Sequence, residues 1–270
     1  MWQHGGKSDK RSMMYKGHEH ARLYDFAYPR LLATGTLLLL LALLSGCAGT
    51  AMESYRQKDY KGALREFRAE NDPEGEFAIG VMHYKGEGVA RDPVVAATWF
   101  RLAAGHGHAG AQYNLGLLYL KGEGVARDLN EAAHWFRLAA EQKNVKACYN
   151  LGLMYARGEG VAWARGEAAR WMRLAAEQGH VRARIDLAFM YLKGDGVARD
   201  RGEAFHWMHE AAGQGDGEAE LLVGLMYARG IGVAKDRGEA VAWLRKAADQ
   251  GFSPAERYLK ELGESETEKP

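Results

Sequence analysis

Apolar residues recur along most of this chain at helical spacing, and the pattern itself repeats every 36 residues. Tryptophan stands at Trp99, Trp135, Trp171, Trp207 and Trp243, and the first glycine of a turn at Gly86, Gly122, Gly158, Gly194 and Gly230. Two series sharing one period, with two helical patterns per unit, predict an α-solenoid in which each unit buries its apolar face by stacking on its neighbours.

Residues 111–146 serve as the reference unit. A first helix, A, is predicted over 111–121, with Ala111, Leu115, Leu118 and Tyr119 on one face. Gly116, matched by Gly80, Gly152 and Gly224, lies inside that helix at a cost of about 1 kcal/mol, which calls for close approach of a large neighbour; the unit's tryptophan is the expected one. The helix ends at Gly122-Glu123-Gly124-Val125, where glycine can take the left-handed conformation and Val125 is expected to plug the turn. A second helix, B, starts after Asp128, an N-cap repeated as Asp92, Asp200 and Asp236. Glu131, Glu203 and Glu239 complete a capping-box spacing, and Pro93 takes the first helical position in another unit. Alanine columns such as Ala132, Ala168, Ala204 and Ala240 allow close helix packing, and Gly107, Gly179, Gly215 and Gly251 close helix B.

The residues Ala111 to Gly116, Tyr119, Gly122-x-Gly124-Val125, Asp128, Ala132, Trp135-Phe136 and Ala139-Ala140 resemble the Sel1-like repeat, a relative of the tetratricopeptide repeat. The resemblance covers residues 75–254 as five units. It implies an all-α solenoid of helix-turn-helix repeats that works as a scaffold or adaptor for a protein or peptide partner. Single positions depart from the pattern: Trp163-Ala164 replaces the basic-Asp pair, Ala188 a glycine, His83 a tyrosine and Lys143-Asn144 the closing glycine. Residues 47–74 read as an N-terminal helical cap, with Asp59 to Phe67 a degenerate helix B. Residues 255–270 read as a charged capping helix followed by a disordered tail from 263.

Composition changes this picture little. Thirty-four glycines against five prolines fit tightly packed helices with sharp turns, and a net charge of +1 carries no footprint of nucleic-acid binding. The first 46 residues differ: six Lys and Arg against three acids lead into an apolar run from Leu31 to Leu44. That run is shorter than the roughly 20 residues needed to span a bilayer. Leu44-Ser45-Gly46-Cys47 resembles the lipobox of bacterial lipoproteins, which implies removal of residues 1–46 as a signal peptide and acylation of Cys47. Ala48 after the cysteine then implies the outer membrane, with the chain on its periplasmic face; an inner-membrane anchor, cell-surface exposure or an uncleaved signal anchor are the alternatives. The leader is long, so translation starting at Met13 or Met14 is also open. The remainder, with 30 basic and 32 acidic residues, is near neutral and is expected to be monomeric.

Helix A carries one narrow polar strip, at positions equivalent to 114 and 121. Its first column reads Ala78, Asn114, Asn150, Asp186 and Leu222, and its second Lys85, Lys121, Arg157, Lys193 and Arg229. Related solenoids hold extended peptides with such amides and cations, so the strip is the candidate peptide-binding groove. The same residues would otherwise satisfy neighbouring backbone and solvate helix ends. Helix B presents His134, Arg137, Arg170, Arg173, His206 and His209 on a polar outer face.

No cofactor, metal or catalytic set is expected. His206 and His209 lack a third ligand at suitable spacing, His106-Gly107-His108 lies in a turn, and the Gly-x-Gly triplets follow helices rather than strands. Ser253, Thr98 and Cys148 stand in no nucleophile motif. Cys148, in a column with Glu76, Gln112, Arg184 and Glu220, is expected to be a partly exposed free thiol. A cell-wall peptide or glycan binder is the alternative function. A β-lactamase-like hydrolase is disfavoured, because the cysteine pairs of such Sel1-like proteins are missing. For the anchor, radiolabelled palmitate should enter the wild-type chain and not Cys47→Ala; equal labelling would refute acylation at that residue.

Overall fold

The computed structural model describes residues 50–263; the predicted leader, Cys47 and the tail from 264 lie outside the described residues. Two helices, α1 (Thr50–Arg56) and α2 (Tyr60–Glu70), precede five pairs. The pairs are α3 (Pro73–Lys85) with α4 (Pro93–Gly105), α5 (Ala109–Lys121) with α6 (Leu129–Glu141), α7 (Val145–Arg157) with α8 (Arg165–Glu177), α9 (Val181–Lys193) with α10 (Arg201–Ala212), and α11 (Gly217–Arg229) with α12 (Arg237–Asp249). A last helix, α13 (Ser253–Glu261), closes the stack. Each helix packs chiefly on its neighbours in sequence, as the solenoid reading requires. No helix among the described residues is long and apolar enough to cross a membrane.

Both helices of a unit have defined starts. At helix B, Oδ1 of Asp92, Asp128 and Asp200 accepts two first-turn N–H groups, at 2.8–3.1 Å. Helix A begins two residues earlier than predicted because its cap was not recognised. Asp72, His108, Asn144, His180 and Asp216 each accept a backbone N–H from three residues on, the histidines through Nδ1. A cap of this kind contributes about 1 kcal/mol.

The expected capping boxes are absent. The backbone N–H of Asp128 donates instead to the carbonyl of Tyr119 (3.0 Å), with the same bond from Asp92 to His83 and from Asp200 to Tyr191. Glu131, Glu203 and Glu239, released from the box, accept the indole N–H of Trp135, Trp207 and Trp243 at 3.0–3.2 Å. The tryptophan is also not the neighbour of the mid-helix glycine. A Cβ on Gly116 would meet the Phe136 ring at 2.7 Å, and the residue after the tryptophan plays the same part at Gly80 (Phe100), Gly152 (Met172) and Gly224 (Leu244).

Each turn carries two glycines with different duties. The first, as at Gly122 (φ 74°), ends helix A in the left-handed conformation, and its N–H returns to the carbonyl of Leu118. The second, Gly124 (φ 71°), leans on the preceding unit: a Cβ there would overlap the Pro93 carbonyl at the start of α4. Gly160, Gly196 and Gly232 press in the same way on Leu129, Arg165 and Arg201.

Units are further tied by the column that holds Cys148. Gln112 Nε2 donates to the Ala104 carbonyl (3.2 Å), Arg184 Nε to that of Ala176 (3.0 Å), and Gln142 Nε2 to both Gln112 Oε1 (2.8 Å) and the Gly107 carbonyl (2.9 Å). Gln112 and Arg184 thereby satisfy C-terminal carbonyls of helix B. Cys148 follows them, is 1% exposed, and donates its thiol to the Ala140 carbonyl (3.7 Å). The expectation of partial exposure is corrected: polar partners in this column read as surface residues but are buried under the next turn. Burial pushes the free thiol's pKa up, which leaves it a poor nucleophile.

The departures from the repeat pattern are absorbed locally. Lys143 takes the left-handed conformation of the missing glycine (φ 64°), and Asn144 caps the next helix. Ala188 is fully buried. His83 stands where other units place a tyrosine whose hydroxyl meets an arginine, as Tyr155 meets Arg137 (2.8 Å). Both its ring nitrogens are buried without a partner, and burial, followed by the nearby Arg68, lowers its pKa against the opposing pull of Asp92.

Two tests follow from this packing. Gly107 (φ 88°) has open space around it, so Gly107→Ala should lower unfolding free energy by about 1–2 kcal/mol through backbone strain alone. Gly124→Ala adds displacement of a neighbouring backbone and should cost about 3 kcal/mol or more, measured by urea denaturation. The second concerns His83. The folded state binds a proton on it less readily than the unfolded chain, which does so near the ordinary value, so stability falls as pH drops below about 6.5. His83→Tyr should narrow the difference in Tm between pH 5 and pH 7.5; an unchanged difference would contradict the assignment.

Candidate functional site

The predicted strip is present as five equivalent positions on the A helices. Lys85, Lys121, Arg157, Lys193 and Arg229 each occupy the last turn of their helix and are exposed. A cation there also complements the negative end of the helix dipole. Their acidic neighbours are loose: Lys85 lies 3.7 Å from Glu87 and Arg157 3.9 Å from Glu159, pairs that contribute little in water. Lys193 rests over the Phe189 ring, and Arg229 over that of Tyr258 in the closing helix. The cations therefore stay available along one edge of the stack.

The amide and acid column is more occupied than its sequence suggests. Asn114, Asn150 and Asp186 are half-buried, and two of them face the preceding unit. The Tyr149 hydroxyl donates to Asp186 Oδ2 at 3.0 Å, and the Asn150 amide lies near enough to the Tyr113 hydroxyl to oppose the upward push of burial on its pKa. Burial and then Asp186 push the Tyr149 pKa up to about 12, so the phenol keeps its proton and remains a donor. Asp186 is also held by Arg182, 3.5 Å away on the same helix. Ala78 and Leu222 end the column without polar groups. Asn114 and the five cations are thus the strip's adaptable part, while Asn150 and Asp186 have a share in joining units.

An apolar recess continues the strip at its N-terminal end. It holds about 100 Å³ and is lined by Met52, Tyr55, Phe67, Phe77, Ala78 and Val81, with Glu74 at the edge. Its walls come from three helices, Met52 and Tyr55 on α1, Phe67 on α2, and Phe77, Ala78 and Val81 on α3. The sequence reading missed it, since a recess walled by three helices leaves no signal in any one local pattern.

Other candidates resolve into packing. His108 caps α5 and stacks on Phe77 (4.4 Å between ring centres), and His209 lies edge-on to Trp243 (5.2 Å). Among the described residues no three His, Cys, Asp or Glu side chains gather as a metal site.

Comparison with known proteins agrees with this geometry. A family model described as the Sel1 repeat matches residues 73–108, 109–144, 145–180, 181–216 and 217–252. The chain belongs to the Sel1 repeat family. The matched units begin one residue after each helix A cap, two residues before the frame that starts at residue 111. A Sel1 repeat protein from Oxalobacter formigenes is 36% identical, with a TM-score of 0.72 over 77% of this chain and 87% of that one. A protective antigen present in uropathogenic Escherichia coli strains, itself of Sel1-like fold, is 33% identical, with a TM-score of 0.76 over 86% of this chain. The match spans 52% of the antigen's chain. A search of curated proteins finds no match. Sel1 and tetratricopeptide-like solenoids typically mediate protein–protein interactions.

Proposed function

We propose that this Sel1 solenoid is a membrane-anchored periplasmic adaptor that binds an extended segment of another protein along its A-helix strip. The observation that carries the reading is the row of five exposed cations, one per unit at the same helical position, beside partly free amides. A solenoid repeats its spacing, so a partner in extended conformation can meet successive units with successive side chains. Lys121, Arg157 and Lys193 would engage acidic or carbonyl groups, and Asn114 backbone amides. Lys85 and Arg229 extend the row at either end. The recess beside Ala78 suits one apolar side chain of the same segment. The resemblance of Leu44-Ser45-Gly46-Cys47 to a lipobox supports the anchor and with it the periplasmic face of the outer membrane.

The test is affinity capture from detergent-solubilised membranes. Reversing the three central cations (Lys121→Glu, Arg157→Glu, Lys193→Glu) should abolish recovery of the partner, because binding by exposed charges reverses with their sign. Reversing Arg170 and Arg173 on helix B should leave recovery unchanged. Retention of the partner by the strip variant would sink this reading.

A further inference from the structure

The third unit breaks the pattern of the other four at two adjacent residues. Their A–B turns end in a basic residue and the capping aspartate, as in Arg91-Asp92, Arg127-Asp128, Arg199-Asp200 and Lys235-Asp236, whereas the third carries Trp163-Ala164. Each change gives up an internal contact. Arg91 and Arg127 donate Nε to the carbonyls of Tyr84 and Leu120 at 3.1 Å, closing the preceding helix; Trp163 instead stands in solvent, 62% exposed. The aspartates accept first-turn N–H groups, whereas α8 begins at Ala164 without a side-chain cap.

Two more donors at this turn lack acceptors. Trp171 is 4% exposed and its indole N–H has no partner. In the second, fourth and fifth units the equivalent indole reaches the glutamate in the first turn of helix B. Here Glu167 has turned away to Arg170, 3.0 Å distant. Arg165 Nε is likewise buried and unpartnered, while another nitrogen of the same guanidinium pairs with Asp195 and the group lies 5.1 Å from the centre of the Trp163 ring. Every unmet group at this turn is a donor, at the positive end of a helix. What is missing is an acceptor of the kind the unit itself has dropped.

We propose that the turn between α7 and α8 is a second docking site, which takes a carboxylate-bearing segment of another protein. The carboxylate occupies the place of the absent aspartate at the start of α8, within reach of its first-turn N–H groups. An apolar side chain next to it lies on the exposed face of Trp163. A propped, solvent-facing tryptophan beside unmet donors is the composition of an interface hot spot. The charge also fits: this is the one matched unit without an acid at the cap position, and Arg165 follows directly. The site uses none of the strip's residues, so the two readings stand or fall separately.

The probe is a capped tetrapeptide with phenylalanine followed by aspartate, and its asparagine counterpart, titrated into the isotope-labelled full chain and followed by NMR. The Gly166 and Glu167 amides should shift saturably with the aspartate peptide, and the asparagine peptide should bind about tenfold more weakly. Ala164→Asp restores the internal cap, so it should raise Tm by about 2–4 °C and abolish these shifts, which separates loss of binding from loss of fold. Trp163→Arg should weaken binding while leaving the strip partner's capture intact. The proposal is overturned if the wild type shows no shift at tens of millimolar, if the two peptides bind equally, or if Ala164→Asp binds as the wild type does.

Discussion

The second glycine of each A–B turn lies against the backbone that begins helix B of the preceding unit, with no space between them for a methyl group. At Gly124, Gly160, Gly196 and Gly232 that contact is with a carbonyl, so a neighbouring side chain cannot move aside to relieve it. The approach brings adjacent A helices close enough for Tyr149 to reach Asp186, and adjacent B helices close enough for Gln142 to bridge Gln112 and the Gly107 carbonyl. A solenoid has no central core to correct errors of register, so its geometry is the sum of these unit-to-unit contacts. The positions along the strip inherit their regular spacing from them.

Much of this was legible in the sequence because the period repeats the same physical demand five times. The first turn glycine, the capping aspartate and the alanine columns each have a local cause, so their roles can be assigned from one unit. The partners of residues that reach across units could not be read so easily. Glu131 had the spacing of a capping box, but the Asp128 N–H was already bonded to Tyr119, and the carboxylate was left for the Trp135 indole. Gln112, Glu76 and Cys148 lie on a polar column that resembles a surface, yet they are buried: Gln112 and Cys148 donate to carbonyls at the end of another helix, and Glu76 meets the His106 ring. Histidine as the cap of helix A was missed for a related reason: His108 and His180 serve through Nδ1, a role in which aspartate and asparagine are the readily recognised residues.

The candidate site was legible in outline. The cations emerged where the 36-residue period placed them, exposed at the ends of the A helices. From sequence alone the amide column is open between a groove and a structural role, because sequence shows which face a residue occupies but not whether the next unit has already engaged it. Structural duty and functional freedom divide along this line. Apart from the cations at the ends of the A helices, residues that recur from unit to unit are consumed by turns, caps and packing. Variation is left to the outer ends of the helices and to the third turn, where Trp163 and Ala164 forgo contacts that the other units keep.

Hydrogen–deuterium exchange on the chain with and without its captured partner measures most directly where that freedom is used. A partner held by the A-helix strip predicts slower exchange at the ends of α5, α7 and α9 and in the turns that follow, with the backbone of α6, α8 and α10 beyond their first turns unchanged. Protection concentrated on the outer faces of those B helices, with the A-helix ends exchanging as in the free chain, would contradict it.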